Sequence, residues 1–423
     1  MVSVCFYFQV HQPNRLREYS IFDIGNNSDY FDEKKNEEIM KKVAGKCYLP
    51  TNNLMLSLIE KYKGKFRINY SISGTAIEQF EKYAPEVLES FKKLNKTGCV
   101  EFLNETYHHS LAFIYSKEEF RKQVKMHRKK IKELFGQEPD VFRNTELILN
   151  NELAREAEKM GFRSILGEGA DHILKGRSPN FVYKPKTSQK IKLLLKNYKL
   201  SDDIAFRFSN KGWKEYPLTA EKYAQWISSI NGNGNVVNLF MDYETFGEHQ
   251  WEDTGIFKFM RKLPEEILKH PDNEFVNISE IIKKYEPVGE LDIHSFVSWA
   301  DIERDLSAWM GNKLQESSLN ELYRIEKYIK ATKDKKLIEE WRKMTTSDHF
   351  YYMCTKWFND GDVHKYFNPY DSPYNGFITF TNILNDMVLR IKEIIPEIKN
   401  QDNEKNMLNI NDNPSEKLKN IEI

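Results

Sequence analysis

Two short segments carry carboxylates where chemistry could be done. LFMDYETFGEHQWE (239–252) places Asp242, Glu244, Glu248, His249 and Glu252 just behind an apolar run, and VFRNTEL (141–147) ends a strand-like run at Glu146. His11 follows VSVCFYFQV (2–10), and Glu101 lies inside CVEFLNE (99–105), which runs on into Thr106-Tyr107-His108-His109. A carboxylate at a helix start also complements the helix dipole, and an Asp after a strand commonly caps a turn. Two carboxyls converging on one cleft have a further use, because glycoside hydrolysis needs a proton donor and a nucleophile or base. Asp, Glu and His together could also ligate a cation. However, no HxH or HExxH spacing occurs, and Gly247 argues against a helix that would put Glu244 and Glu248 on one face. For a histidine beside acid-rich strand ends, hydrogen bonding to substrate hydroxyls is the preferred reading, with no metal. No GxSxG, GxGxxG or P-loop is present.

The elements that must position these groups follow from periodicity. VSVCFYFQV, FRINYSIS (66–73), CVEFLNE, DVFRN (140–144), RSILGEG (163–169), KLLLKNY (192–198) and NVVNLFM (235–241) read as strands. Between several of them lie helical patterns. KEEFRKQVKMHRKKIKELFG (117–136) closes on Gly136, NNELAREAEKMGF passes Gly161, and LTAEKYAQWISSI opens on Thr219. Repeated strand–helix alternation predicts a parallel α/β barrel, in which functional groups gather at the carboxyl ends of the strands. After about residue 290 helical patterns dominate, including GFITFTNILNDMVLRIKEIIPEI (376–398). The expected organisation is a barrel over 1–290, a helical bundle over 291–400 and a polar, disordered tail over 401–423.

Composition limits the partners. Lys+Arg and Asp+Glu both number 63, so the formal net charge is zero, and no basic excess points to nucleic acid or a membrane surface. Cys5, Cys47, Cys99 and Cys354 are scattered without a CxxC pair, as expected of reduced thiols in a cytoplasmic protein. Neither a signal peptide nor a run of some 18 apolar residues is apparent. The aromatic share is 13%, enough either for core packing or for a groove whose rings stack on sugars.

The motifs in chain order resemble the five sequence regions of glycoside hydrolase family 57: His11-Gln12-Pro13, GCVEFL (98–103), VFRNTEL, FMDYETFG (240–247) and TTSDHFYYM (345–353). SFVSWADIERDLSAWMGNKLQ (295–315) is similar to the stretch behind the barrel in amylase-like archaeal members. The resemblance implies an incomplete (β/α)7 barrel followed by a C-terminal helical bundle, and an α-glucan or maltooligosaccharide substrate cleaved with retention and without cofactors. It implies Glu146 as nucleophile and Asp242 as general acid/base. His11, Glu101, His109, Arg143, Trp299 and Asp348 would contact the sugar or brace the site, with Glu244 and Glu248 tuning Asp242. A retaining pair is expected to stand about 5–5.5 Å apart. Two departures stand out. Arg143 occupies the place, three residues before the nucleophile, where many members have Trp. The chain also lacks the additional C-terminal β-domain of the transferases, which favours an α-amylase-type hydrolase over a 4-α-glucanotransferase or branching-type enzyme. From other classes, a metal-dependent carbohydrate deacetylase and a non-catalytic glucan-binding protein are the alternatives.

Overall fold

The computed structural model describes residues 1–356 and 368–396. The tail expected over 401–423 lies outside the described residues. The chain falls into two compact units, each discontinuous in sequence. The first comprises Met1–Gln12, Glu37–Tyr107 and Val124–Trp299; the second comprises Pro13–Asn36, His108–Gln123 and the described residues from Ala300 onward.

All seven segments read as strands form strands of the first unit: β1 (Val2–Val10), β2 (Ile68–Ile72), β3 (Val100–Phe102), β4 (Val141–Phe142), β5 (Ser164–Glu168), β6 (Lys192–Lys196) and β7 (Val236–Asp242). Every ladder among them is parallel, with β1 flanked by β2 and β7, β2 by β3, and β5 by β4 and β6. Asn104 extends β3 to bridge Phe142 of β4. At the other seam the Asn197 N–H donates to the Asn238 carbonyl (2.9 Å), and Asn238 Nδ2 to the Leu195 carbonyl (2.9 Å). The ring therefore closes on itself as a seven-stranded parallel barrel, with all carboxyl ends at one end.

Alternation along each strand sorts the side chains. On β1, Val2, Val4, Phe6, Phe8 and Val10 pack outward with Leu54, Met55, Phe80, Phe91, Met260 and other helix residues. Cys5 and Tyr7 turn inward with Leu103, Val141, Leu166, Leu194, Val236 and Phe240. Both faces are buried, so the two polar residues of β1, Ser3 and Gln9, are buried too and hydrogen-bonded. Ile278, Ile281 and Ile282 of the helix Ile278–Lys284 join this inner cluster at the amino-terminal end of the barrel.

The second unit is mainly helical, with helices Lys313–Arg324, Lys335–Met344 and Pro373–Ile394 around buried Trp309, Trp341, Phe350 and Phe380. Buried Glu119 holds Arg342 Nε (2.8 Å) and Lys330 Nζ (3.0 Å). Buried Asp386 accepts from the Gly25 N–H (2.7 Å), from the Tyr30 hydroxyl and from Arg390. The sequence boundary near 290 thus lies close to the break at Trp299. Sequence periodicity gave no sign that two earlier segments join the helical unit, because neither carries a composition shift.

Candidate active site

Beyond β4 the chain makes a tight turn, Thr145–Leu147, in which Glu146 (φ 56°) and Leu147 (φ 52°) both take left-handed backbone. Non-glycine residues pay about 1–2 kcal/mol for this conformation, so two in succession must be held by their surroundings. The holder is the strand-like segment Val297–Trp299. Leu149 and Val297 exchange backbone hydrogen bonds (both 2.9 Å), and the Trp299 N–H donates to the Glu146 carbonyl (3.1 Å). The Trp299 indole Nε1–H then donates to Glu146 Oε2 at 2.6 Å. A donor to the charged form orients that carboxylate and favours its ionisation.

The faces of the same indole meet cations. The Arg143 guanidinium carbon lies 4.8 Å from the ring centroid and Lys196 Nζ 5.3 Å. Arg143 is fully buried, and its three guanidinium nitrogens make no hydrogen bond among the described residues. Lys196 closes β6, where it pairs with Asp202 (3.0 Å) and stands 3.8 Å from Glu168 at the end of β5.

Asp242 ends β7 in register with Gln9 of β1. Gln9 is fixed by a buried network: Tyr7 and Ser71 hydroxyls donate to its Oε1 (2.8 Å each), and its Nε2 donates to Glu105 Oε1 (3.0 Å). Burial pushes the Tyr7 phenol well above its ordinary range; Arg143 opposes that shift, and Glu105 and Asp242 add to it. Gln9 thus stands between Glu105, which it bonds, and Asp242, its register partner on β7. Glu146 and Asp242 remain partly exposed while most of their neighbours are buried.

The acids behind Asp242 disperse. Glu244 is buried and accepts from the Tyr48 hydroxyl. Burial, with Asp242 adding to it, pushes its carboxyl up to about 8, so it is protonated at neutrality. Burial also acts to raise Glu248, but Lys42 (2.7 Å) and Lys46 (3.4 Å) outweigh it and hold its carboxyl below the usual range. Gly247 (φ 109°) is required between them, since a Cβ there would meet the Lys46 carbonyl oxygen at 2.2 Å.

His11, just past β1, shares a hydrogen bond with Ser73 Oγ (2.7 Å) beyond the end of β2 and so stands at the carboxyl end. Glu101 does not join this group. It pairs with Asn69 near the start of β2, and its Oε2 accepts from the Ser279 N–H (3.0 Å), where the helix Ile278–Lys284 begins at the opposite end. Burial pushes its carboxyl up to about 7. The residue that does reach the carboxyl end on the inner side of β3 is Glu105, two alternations further on. Alternation within CVEFLNE carried that signal, yet the motif match drew attention to Glu101. His109 and Asp348 belong to the second unit. There the His109 carbonyl accepts from the Ser347 N–H (3.0 Å), one residue before Asp348, and Ser110 bridges Thr346.

A parallel barrel carrying carboxylates at its strand ends is an architecture shared with glycosidases, and the comparisons make the class specific. The model of glycosyl hydrolase family 57 matches residues 5–294, and the chain belongs to that family of glycosidases. It is 48% identical over 405 residues to a Methanocaldococcus jannaschii protein named "Putative alpha-amylase", covering 93% of this chain and 85% of the relative. The fold is similar to that of the family 57 branching enzyme of Pyrococcus horikoshii (TM-score 0.65, 15% identity, 95% of this chain and 94% of that one). It is also similar to the 4-alpha-glucanotransferase of Thermococcus litoralis (TM-score 0.62, 16% identity, 82% of this chain), of which the match spans only 56%. No helix among the described residues is long and apolar enough to cross a membrane.

Proposed function

We propose that this protein is a retaining, α-amylase-type hydrolase of α-1,4-glucans such as starch, glycogen and maltooligosaccharides, with Glu146 as nucleophile and Asp242 as general acid/base. The observation that carries the assignment is Glu146 itself: a partly exposed carboxylate on a left-handed turn at a strand end, held at 2.6 Å by an indole N–H. The name of the Methanocaldococcus jannaschii relative supports the substrate class.

The reaction runs in two displacements. Asp242 protonates the glycosidic oxygen as Glu146 attacks the anomeric carbon; the C–O bond breaks, the shortened glucan leaves, and a glycosyl ester forms on Glu146. Asp242, now ionised, takes a proton from water, which attacks the anomeric carbon and releases Glu146 as carboxylate. Trp299 steadies one carboxylate oxygen, leaving the other for attack. Arg143, buried against the Trp299 indole, keeps a positive charge beneath the site, and His11 lies at the same end of the barrel. Glu244, protonated and bonded to Tyr48, supports the start of the loop that follows Asp242.

Incubation with maltooligosaccharides of defined length tests the proposal. Shorter products of retained anomeric configuration are expected, abolished by Glu146→Gln. Longer chains appearing beside shorter ones would replace hydrolysis by transglycosylation, and unchanged activity in Glu146→Gln would remove the assigned nucleophile.

A further inference from the structure

The chain linking β6 to β7 builds a second recess that the proposed reaction does not use. The helix Tyr198–Ala205 supplies Lys199 and Asp203, Arg207 follows it, the next loop brings Trp213 and Glu215, and the helix Ala220–Ser228 brings Trp226. They line a shallow, widely open hollow of about 510 Å³. Trp213 and Trp226 meet edge to face, ring centroids 6.2 Å apart at 72°, and both are only partly buried. Both indoles pack on the outer core cluster and keep only part of each ring accessible, so the recess offers a small aromatic platform bordered by charged groups.

The rim identifies the ligand chemistry. Asp203 and Arg207 pair at 2.6 Å, and the Arg207 guanidinium carbon lies 5.7 Å from the Trp213 centroid. Glu215 faces Lys222 at 3.6 Å. Acceptors and donors of both signs surround the aromatic floor, so no single ionic charge is selected and a purely apolar segment would strip charged groups of water. A neutral ring with one apolar C–H face and a border of hydroxyls satisfies both parts: the face lies on indole, and hydroxyls donate to Asp203 and Glu215 and accept from Arg207 and Lys199.

We propose that this recess is a second α-glucan-binding site, separate from the point of cleavage, which holds a further stretch of polymer substrate. The proposal rests on the α-glucan reading above. Holding one polymer at two places raises its apparent affinity without a new contact at the reacting bond.

The test is migration through native gels containing glycogen, on a Glu146→Gln background that prevents turnover. Trp213→Ala is expected to weaken glycogen retardation at least tenfold, with Trp213→Phe, which keeps a ring and opens little space, lying between. In the otherwise wild-type chain, Trp213→Ala should leave kcat/KM on maltotriose within about twofold. Retardation unchanged in both Trp213 variants would overturn the proposal. So would a change in sedimentation without a change in retardation, which would make the recess a contact between copies. Trp213-dependent retardation of a chain that cleaves no α-glucan would sink the hydrolase reading and leave the recess standing. Cleavage with Trp213-independent retardation would do the reverse.

Discussion

Replacing Trp299 by Phe removes one hydrogen atom's worth of chemistry, the indole N–H, while keeping a ring beneath Arg143. That N–H donates to Glu146 Oε2 at 2.6 Å in a partly buried setting. A hydrogen bond to a charged group contributes about 1.5–3 kcal/mol, so its loss is worth roughly a tenfold to hundredfold change in a rate that depends on it. The two displacements do not depend on it equally. In the first, charge leaves the Glu146 carboxylate as the ester forms, so the bond weakens toward the transition state. In the second, charge returns to that carboxylate and the bond strengthens. Trp299→Phe should therefore lower kcat roughly tenfold to a hundredfold through slow breakdown of the glycosyl-enzyme, and leave kcat/KM unchanged or raised. With an aryl maltooside, the first turnover should appear as a burst absent or smaller in the parent. A kcat within threefold of the parent, with no burst, would refute both the bond's role and the assignment of Glu146.

Further consequences can be measured directly. Glu244 and Glu101 have carboxyls raised by burial to about 8 and about 7, against about 4.3 in an unfolded chain, so the native state binds more protons across that window. Stability should therefore fall as pH rises from about 4.5 toward 8, and Glu244→Gln or Glu101→Gln should flatten the slope of Tm against pH; a steeper slope in the variants would contradict the burial argument. Gly247→Ala puts a Cβ 2.2 Å from the Lys46 carbonyl oxygen at φ 109°, a backbone clash that should cost several kcal/mol and show as a Tm lowered by many degrees. The double displacement uses carboxyls alone, so exhaustive dialysis against EDTA should leave activity on maltooligosaccharides unchanged; loss restored by a divalent ion would favour metal-dependent chemistry.

The strands were legible because short runs rich in Val, Ile, Leu and aromatics, several of them alternating, recur between helical patterns and survive in a single sequence. Strand ends were less so. The alternation that sorts Val141 inward also sorts Arg143 inward, and the one that sorts Leu103 inward leads to Glu105. That inference needs the true start of each strand, and an error of one residue reverses it. Hence Glu101, inside the motif, drew attention, although it faces Ser279 at the opposite end of the barrel. The acidic cluster behind Asp242 also looked like a single site. Its members separate because Tyr48, Lys42 and Lys46, some two hundred residues earlier in the chain, claim Glu244 and Glu248 individually. No local pattern encodes such partners.

Arg143 joins these threads. At its position the family resemblance leads one to expect an aromatic ring three residues before the nucleophile, and a cation there looks like a loss. The structure supplies an indole on the same side of Glu146 from elsewhere in the chain: Trp299, 4.8 Å from the Arg143 guanidinium and bonded to Glu146. A buried guanidinium without hydrogen-bond partners is expensive unless something else compensates it. The Trp299 indole face, 4.8 Å from the guanidinium carbon, provides that compensation in part. On this argument Arg143 and Trp299 act as a pair, and Arg143→Trp alone would not restore the family's usual arrangement: it would set a second indole against Trp299 and remove the buried positive charge that now lies on it.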